Sequence, residues 1–240
     1  IVVAGNACHA AAVAVREKIL KLAAENLGSS VENIVLEDGK AYLKDNLDKK
    51  ISFGELAAKA NSLRGAVKPG TEPGLEATSY FGPSSGATAN GVHALILEVN
   101  LKTLKVEIKK YVVVHDCGKI VNPMIVEGQI HGGVAQGIGN AYYEQLVYNS
   151  DGQLLTASLM DYLLPTSMDV PKIIESGHIE TPSPLNPLGL KGAGEAGVIP
   201  TAAAFVQALE NALNIKDLEI LEIPLSPSKL FDALEKVKSV

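Results

Sequence analysis

Within Ala10 to Leu27, Val15, Ile19 and Leu22 recur at helical spacing, Glu17 stands one turn before Lys21, and Gly28 follows as a terminator. This pattern predicts a core-packed amphipathic helix. Ile34 to Leu36 and Ala41 to Leu43 flank Glu37-Asp38-Gly39-Lys40, a hairpin signal, and Ser52 with Glu55 three residues later opens a short helix over 51–61. From Lys68 to Gly91 glycine, proline, serine and threonine dominate, which predicts a long loop of functional or mobile character. Val92 to Leu101 and Leu104 to Asp116 form the clearest strand pair, turned at Lys102-Thr103. Leu104, Val106 and Ile108 alternate with Lys105, Glu107 and Lys109, giving the second strand one solvated face at first. Tyr111 to Val114 is then continuously apolar, so the strand enters the interior before delivering His115-Asp116-Cys117-Gly118. A binding site and a plain turn both remain open at that exit.

Asn122 caps and Pro123 opens the next helix, which carries Gly128, Gly132, Gly133, Gly137 and Gly139. Each internal glycine costs about 1 kcal/mol relative to alanine, so the cluster needs a compensating close approach. The approaching group is either another helix or a ligand lying beside Gln129, His131 and Gln136. Tyr142 to Tyr148 and Gln153 to Leu159 suggest a further strand pair, and Lys172 to Glu180 a single strand within a proline-rich segment. Helices are expected from Pro200, with Val206, Leu209 and Leu213 on one face, and over Pro227 to Lys236. Helices and mostly antiparallel strands in mixed order argue for an α+β fold, with two subdomains expected over about 1–110 and 111–240.

Composition changes this picture mainly by exclusion. The 240 residues are 47% hydrophobic and 20% charged, with net charge −6 and no cluster of lysine or arginine, which argues against nucleic acid as a partner. No apolar run reaches the roughly 18 residues of a membrane span, and neither a membrane partner nor a signal peptide is expected; the reading is cytoplasmic. Cys8 and Cys117 are too few for an iron–sulfur cluster within this chain, and His9, His93, His115, His131 and His178 show no metal-ligand spacing. Any redox relay is therefore expected elsewhere. The chain starts at Ile1 inside an apolar run and reads as a piece of something longer.

Candidate chemistry concentrates in Gly189-Leu190-Lys191-Gly192-Ala193-Gly194-Glu195-Ala196-Gly197. Successive N–H groups among glycines can form an anion-binding concavity. Glu195, set among glycine and alanine, is the candidate general base, where partial desolvation would suit it to that role. A structural glycine turn with a solvated Glu195 is the other reading. Gly192, Gly194 and Gly197 also meet the G-x-G-x-x-G spacing, with Asp217 downstream as a ribose carboxylate. That fingerprint needs a strand before the first glycine, and the proline-rich run Thr181 to Pro187 cannot be a central parallel strand.

Taken together, His115-Asp116-Cys117-Gly118 followed by Asn122-Pro123, Glu127-Gly128-Gln129-Ile130-His131-Gly132-Gly133 with Ala135-Gln136-Gly137, Asp161-Tyr162-Leu163-Leu164-Pro165, and Lys191-Gly192-Ala193-Gly194-Glu195-Ala196 resemble the C-terminal part of the molybdenum-binding large subunit of the xanthine oxidase family. That family includes aldehyde oxidoreductases and carbon monoxide dehydrogenases. The resemblance is dense over 111–234 and departs from the usual motif at Ala193, where valine is common. It implies a fold of the molybdenum cofactor-binding domain type and a molybdenum–molybdopterin cytosine dinucleotide cofactor. It also implies hydroxylation of an aldehyde, carbon monoxide or a heterocycle with water as oxygen source and Glu195 as base. Asp116, Cys117, Gln136, Lys191, Gly192, Ala193 and Gly194 would line the cofactor, whose pterin dithiolene holds the metal without protein ligands. Implied partners are the N-terminal half of the large subunit, an iron–sulfur subunit, an FAD subunit and a small-molecule substrate. Alone, the fragment is expected to be inactive. The other reading is a non-catalytic molybdopterin-binding or assembly fragment.

Overall fold

The computed structural model describes residues 1–62, 67, 72–216 and 218–238. Asp217, the ribose carboxylate of the dinucleotide alternative, and part of the expected 68–91 loop lie outside them. The chain divides into two compact units, Ile1–Pro83 and Ser84–Val240. The division expected near residue 110 would instead cut through a strand that is hydrogen-bonded on both edges, so it cannot bound a folded unit.

In the first unit, helix α1 (Val2–Leu27) ends at Gly28, whose left-handed backbone (φ 66°) directs its N–H to the Ala24 carbonyl. Strands β1 (Ile34–Glu37) and β2 (Lys40–Leu43) pair antiparallel, and Asp38 and Gly39 both take positive φ between them, as a two-residue hairpin turn requires. A third strand, β3 (Asn46–Ser52), pairs with β2. Its polar residues gave no alternating signal, because only Ile51 is buried and the charged remainder suits an exposed sheet edge. Ser52 then forms a full capping box with Glu55 at the start of α2 (Phe53–Lys59). Ile19, Leu20, Ala23, Ile34, Ala41, Leu43, Ile51 and Leu56 make the core of this unit.

The second unit is built on a three-stranded sheet in the order β4 (Asn90–Val99), β5 (Val106–Asp116), β6 (Ile174–His178). β4 and β5 are antiparallel. β5 and β6 run parallel, with Tyr111 opposite Ile174 and His115 opposite His178. Between them, α3 (Pro123–Ile138) starts where the Asn122 side chain accepts the Ile125 N–H at 3.2 Å, and it passes into one π-helical turn over Gly139–Tyr143. Tyr111 and Val113 pack against Ile130, Val134 and Ile138 of this helix. Helices α4 (Thr201–Leu213) and α5 (Pro227–Lys238) supply Phe205, Leu209 and Leu230 to a second cluster with Leu104, Val106 and Tyr142.

The strand pair expected over 142–148 and 153–159 is absent. Tyr142 and Tyr143 go into the π turn, and only the bridge between Tyr148 and Leu154 remains. The Asn149 side chain accepts the N–H groups of Asp151 and Gln153, a local turn that competes with a ladder. The architecture is α+β, with one antiparallel and one mixed sheet.

Candidate functional site

β5 ends in a junction organised by Asp116. Its Oδ1 accepts the Gly118 N–H at 2.8 Å and the Thr181 N–H at 3.2 Å; its Oδ2 accepts from the Lys191 ammonium at 2.9 Å and from the Thr181 hydroxyl. Burial alone would raise the Asp116 carboxyl, but the bonds from Thr181, Lys191 and Gly118 outweigh it and hold the group well below the usual carboxylate range. The Asp116 and Lys191 side chains are only 11% and 12% exposed, so this is a shielded ion pair.

Around it, the proline-rich loop is drawn against the end of β5. Asn186 accepts the Leu190 N–H and donates to the Leu190 carbonyl, each at 2.8 Å, and Leu190 bridges to Gly118. Glycine is required at both contact points. Gly118 and Gly189 have positive φ, and a side chain on Gly118 would collide with the Gly189 carbonyl, one on Gly189 with Pro182. Cys117 is buried, which pushes its thiol up, and its carbonyl accepts the Lys191 N–H at 2.9 Å.

The glycine-rich stretch leaves this junction as a series of turns. The Gly192 N–H donates to the Ala87 carbonyl at 3.0 Å, so two N–H groups of the expected anion concavity, those of Lys191 and Gly192, are used inside the chain. The N–H groups of Ala193, Gly194 and Glu195 make no hydrogen bond among the described residues. Glu195 is exposed, so the desolvation expected around it is not provided by its own neighbours. Its carbonyl accepts from Val198 and Ile199 and winds the turn that leads into α4.

α3 answers both readings of its glycines. A Cβ on Gly133 would lie 2.7 Å from the Gly197 Cα, and one on Gly137 would strike Thr201; these two permit close packing onto the start of α4. Gly128 and Gly132 face open space instead, on a side of α3 that also exposes Gln129 and Gln136. The side chain of Gln129 reaches towards Gly194, 3.9 Å from where its Cβ would be. An open glycine and amide face thus adjoins the Glu195 turn.

Sequence reasoning did not single out His115, although it opens the recognised tetrad. The residue is 1% exposed, and neither ring nitrogen has a hydrogen-bond partner among the described residues. Burial, His178 and Lys191 push its pKa down against the pull of Asp116. Buried polar groups are normally paired, so two orphaned nitrogens at the end of β5 leave room for a polar group from outside the described residues. That observation, with the free N–H groups of 193–195, is the fit of these residues to a pterin cofactor. Among the described residues no cluster of three His, Cys, Asp or Glu side chains converges as a metal site. A groove lined by Lys18, Lys21, Glu25, Lys59 and Glu72 lies wholly in the first unit and shares no residue with this arrangement.

Fold and open glycine face together are those of a domain that can receive a cofactor. The chain belongs to the molybdopterin cofactor-binding domain family, whose model matches residues 1–171, as part of a molybdenum-binding large subunit of the xanthine oxidase family. It is 42% identical over 98% of its length to the nicotine 6-hydroxylase large subunit of Paenarthrobacter nicotinovorans, covering 29% of that protein. Among solved structures, quinoline 2-oxidoreductase from Pseudomonas putida 86 superposes with a TM-score of 0.79 at 41% identity, covering 94% of this chain and 28% of that one. Reconstituted CO dehydrogenase from Oligotropha carboxidovorans gives 0.82 at 29% identity, covering 98% and 29% respectively. The chain therefore spans less than a third of the length of these relatives. No helix among the described residues is long and apolar enough to cross a membrane.

Proposed function

We propose that this chain supplies the general base and one side of the cofactor seat in the large subunit of a cytoplasmic molybdenum hydroxylase, with Glu195 as the base and water as the oxygen source. The observation that carries the reading is the position of Glu195. Its carboxylate is exposed on a turn whose preceding N–H groups are free and which adjoins the open glycine face of α3.

When bound, a molybdenum–molybdopterin cytosine dinucleotide supplies the redox centre and activates water towards deprotonation. The chain's own residues do the remaining work. Glu195 accepts a proton at its carboxylate. The N–H groups from Ala193 to Glu195 offer donors to an anionic or carbonyl oxygen. Gln136 presents an amide from the open face of α3, and the buried His115 ring nitrogens are left unpaired among the described residues at the end of β5. Asp116 and Lys191 neutralise one another and hold the loops; Cys117, buried, contributes its backbone. Asp116, Cys117, Lys191 and Gly192 therefore shape the seat from behind, while Ala193, Gly194 and Gln136 are its lining.

The rest of the large subunit and separate iron–sulfur and FAD subunits complete the assembly. Exposed Leu159, Met160, Leu163, Leu164 and Met168 offer apolar surface for that remainder to cover. Among the three substrate classes, a nitrogen heterocycle is favoured. Identity is higher to the nicotine hydroxylase and quinoline oxidoreductase, 42% and 41%, than to the Oligotropha CO dehydrogenase, 29%.

The test is the native assembly and its Glu195→Gln variant, measured for molybdenum, cytidine nucleotide and turnover on heterocycles, aldehydes and CO. The variant is expected to keep metal and nucleotide and to lose about 10²- to 10⁴-fold in rate, the usual worth of a positioned base. Retained turnover in the variant removes Glu195 as the base. Absence of metal and nucleotide from the correctly folded wild-type assembly leaves a non-catalytic fragment.

A further inference from the structure

One side of the β4–β5 pair is packed, because Leu95, Tyr111 and Val113 turn towards α3. On the other side Val92 stands opposite Val114, Ala94 opposite Val112 and Ile96 opposite Lys110. Val92 is 71% exposed, Ile96 62% and Val114 40%, and Ala94 is exposed between them. Beyond the irregular pairing at Ile96 and Leu97 the same strands change character. Glu98 stands opposite Glu107, and Lys109 pairs with these two carboxylates at 3.1 and 2.9 Å. Lys110, at the boundary, is neutralised by Glu175 of β6 at 2.9 Å. The far half of this pair thus carries the charges of a water-facing sheet, whereas the half leading to the Asp116 junction shows water only Val and Ala up to Ile96.

From this contrast we infer that the apolar half of the face is covered in the native protein by a segment of the same large subunit lying outside residues 1–240, so that β5 is buried on both sides there. A strand with one solvated side alternates apolar and polar residues, whereas a strand buried on both sides is apolar throughout. β5 does each in turn. Glu107 and Lys109 interrupt its first half, and Tyr111 to Val114 contains no polar residue. Its second half has the composition of a covered strand, yet Val114 and its neighbours on β4 stay exposed among the described residues. Two arguments assign the cover to the same subunit. The chain spans 28–29% of its relatives' length, so most of such a subunit is left to pack against it. Interfaces between separately folded partners are also about as apolar as ordinary surface, whereas obligate contacts resemble a core cut in half. A strip of Val, Ala and Ile whose bordering charges are already paired belongs to the second kind. The inference rests on the chain being part of a large subunit, and not on Glu195 as base.

The test reads thiol accessibility in the native assembly. Val92→Cys and Ile96→Cys are compared with Glu107→Cys, on the charged half, for the rate of alkylation by a maleimide followed peptide by peptide in the mass spectrometer. The first two should react about a hundredfold more slowly than the third, because reaction must wait for local opening, and all three should react alike after denaturation. The occupant is identified with the photo-crosslinking residue p-benzoylphenylalanine in place of Ile96. Its cross-links are expected on peptides of the large subunit outside residues 1–240. Equal alkylation of all three thiols overturns the inference, as do cross-links confined to an iron–sulfur subunit, an FAD subunit or a second copy of this chain. If the bulky residue prevents assembly, alkylation is repeated on the large subunit separated from the other two and diluted to a monomer: retained protection supports cover by the same polypeptide, and its loss overturns it. Metal content and turnover of the unmodified assembly test the hydroxylase reading alone, so the two fail separately.

Discussion

Asp116 accepts from Gly118, Thr181 and Lys191, and all of those donors favour its ionised form. Because its carboxyl is depressed in the folded protein, the stability it contributes is present above the unfolded value of about 3.9 and is lost as pH falls below that. Asp116→Asn should flatten this acid-dependent loss, as read from urea midpoints between about pH 5 and 2. Lys191→Met leaves a shielded carboxylate without its cation and should cost about 3 kcal/mol in the same measurement. Glu195 and the Asp116 tetrad were legible in the sequence because they sit in dense motifs. His115 was not, since it is a single histidine whose burial is set by segments far along the chain. Its only signal was membership of the tetrad.

At the level of elements, α3 carries two kinds of glycine that the sequence could not separate. Gly133 and Gly137 touch the turn and helix after Glu195, whereas a Cβ on Gly128 or Gly132 would meet nothing among the described residues. Gly133→Ala should therefore destabilise the protein by about 1–3 kcal/mol through overpacking against the Gly197 backbone. Gly132→Ala should raise the stability of cofactor-free protein by up to about 1 kcal/mol while lowering the molybdenum content of the native assembly. Thermal melts and metal analysis of the two variants distinguish a packing glycine from a seat glycine. The helices and the β4–β5 pair were readable because their periodicity coincides with one buried face. β3 was not, because a charged edge strand is specified by its neighbour β2 and not by its own pattern. The expected pair after Tyr142 failed for the opposite reason: its apolar residues are recruited to the core beside Phe205 and leave no strand to form a ladder.

Across the whole molecule, each of the two units has its own core. Brief proteolysis is expected to cut first in the irregular stretch 77–89, and the fragment beginning there should retain the helical and strand content of β4 to α5, as read by circular dichroism. The Asp116 junction lies wholly in that second unit, yet it closes over long stretches of chain: Thr181 is 65 residues from Asp116 and Lys191 is 75. A growing polypeptide cannot complete the junction until Lys191 has left the ribosome. Before that moment β5 has no loop to anchor and the glycine turn has no fixed start. The order in which the chain is made therefore sets the order in which this end of β5 can be finished.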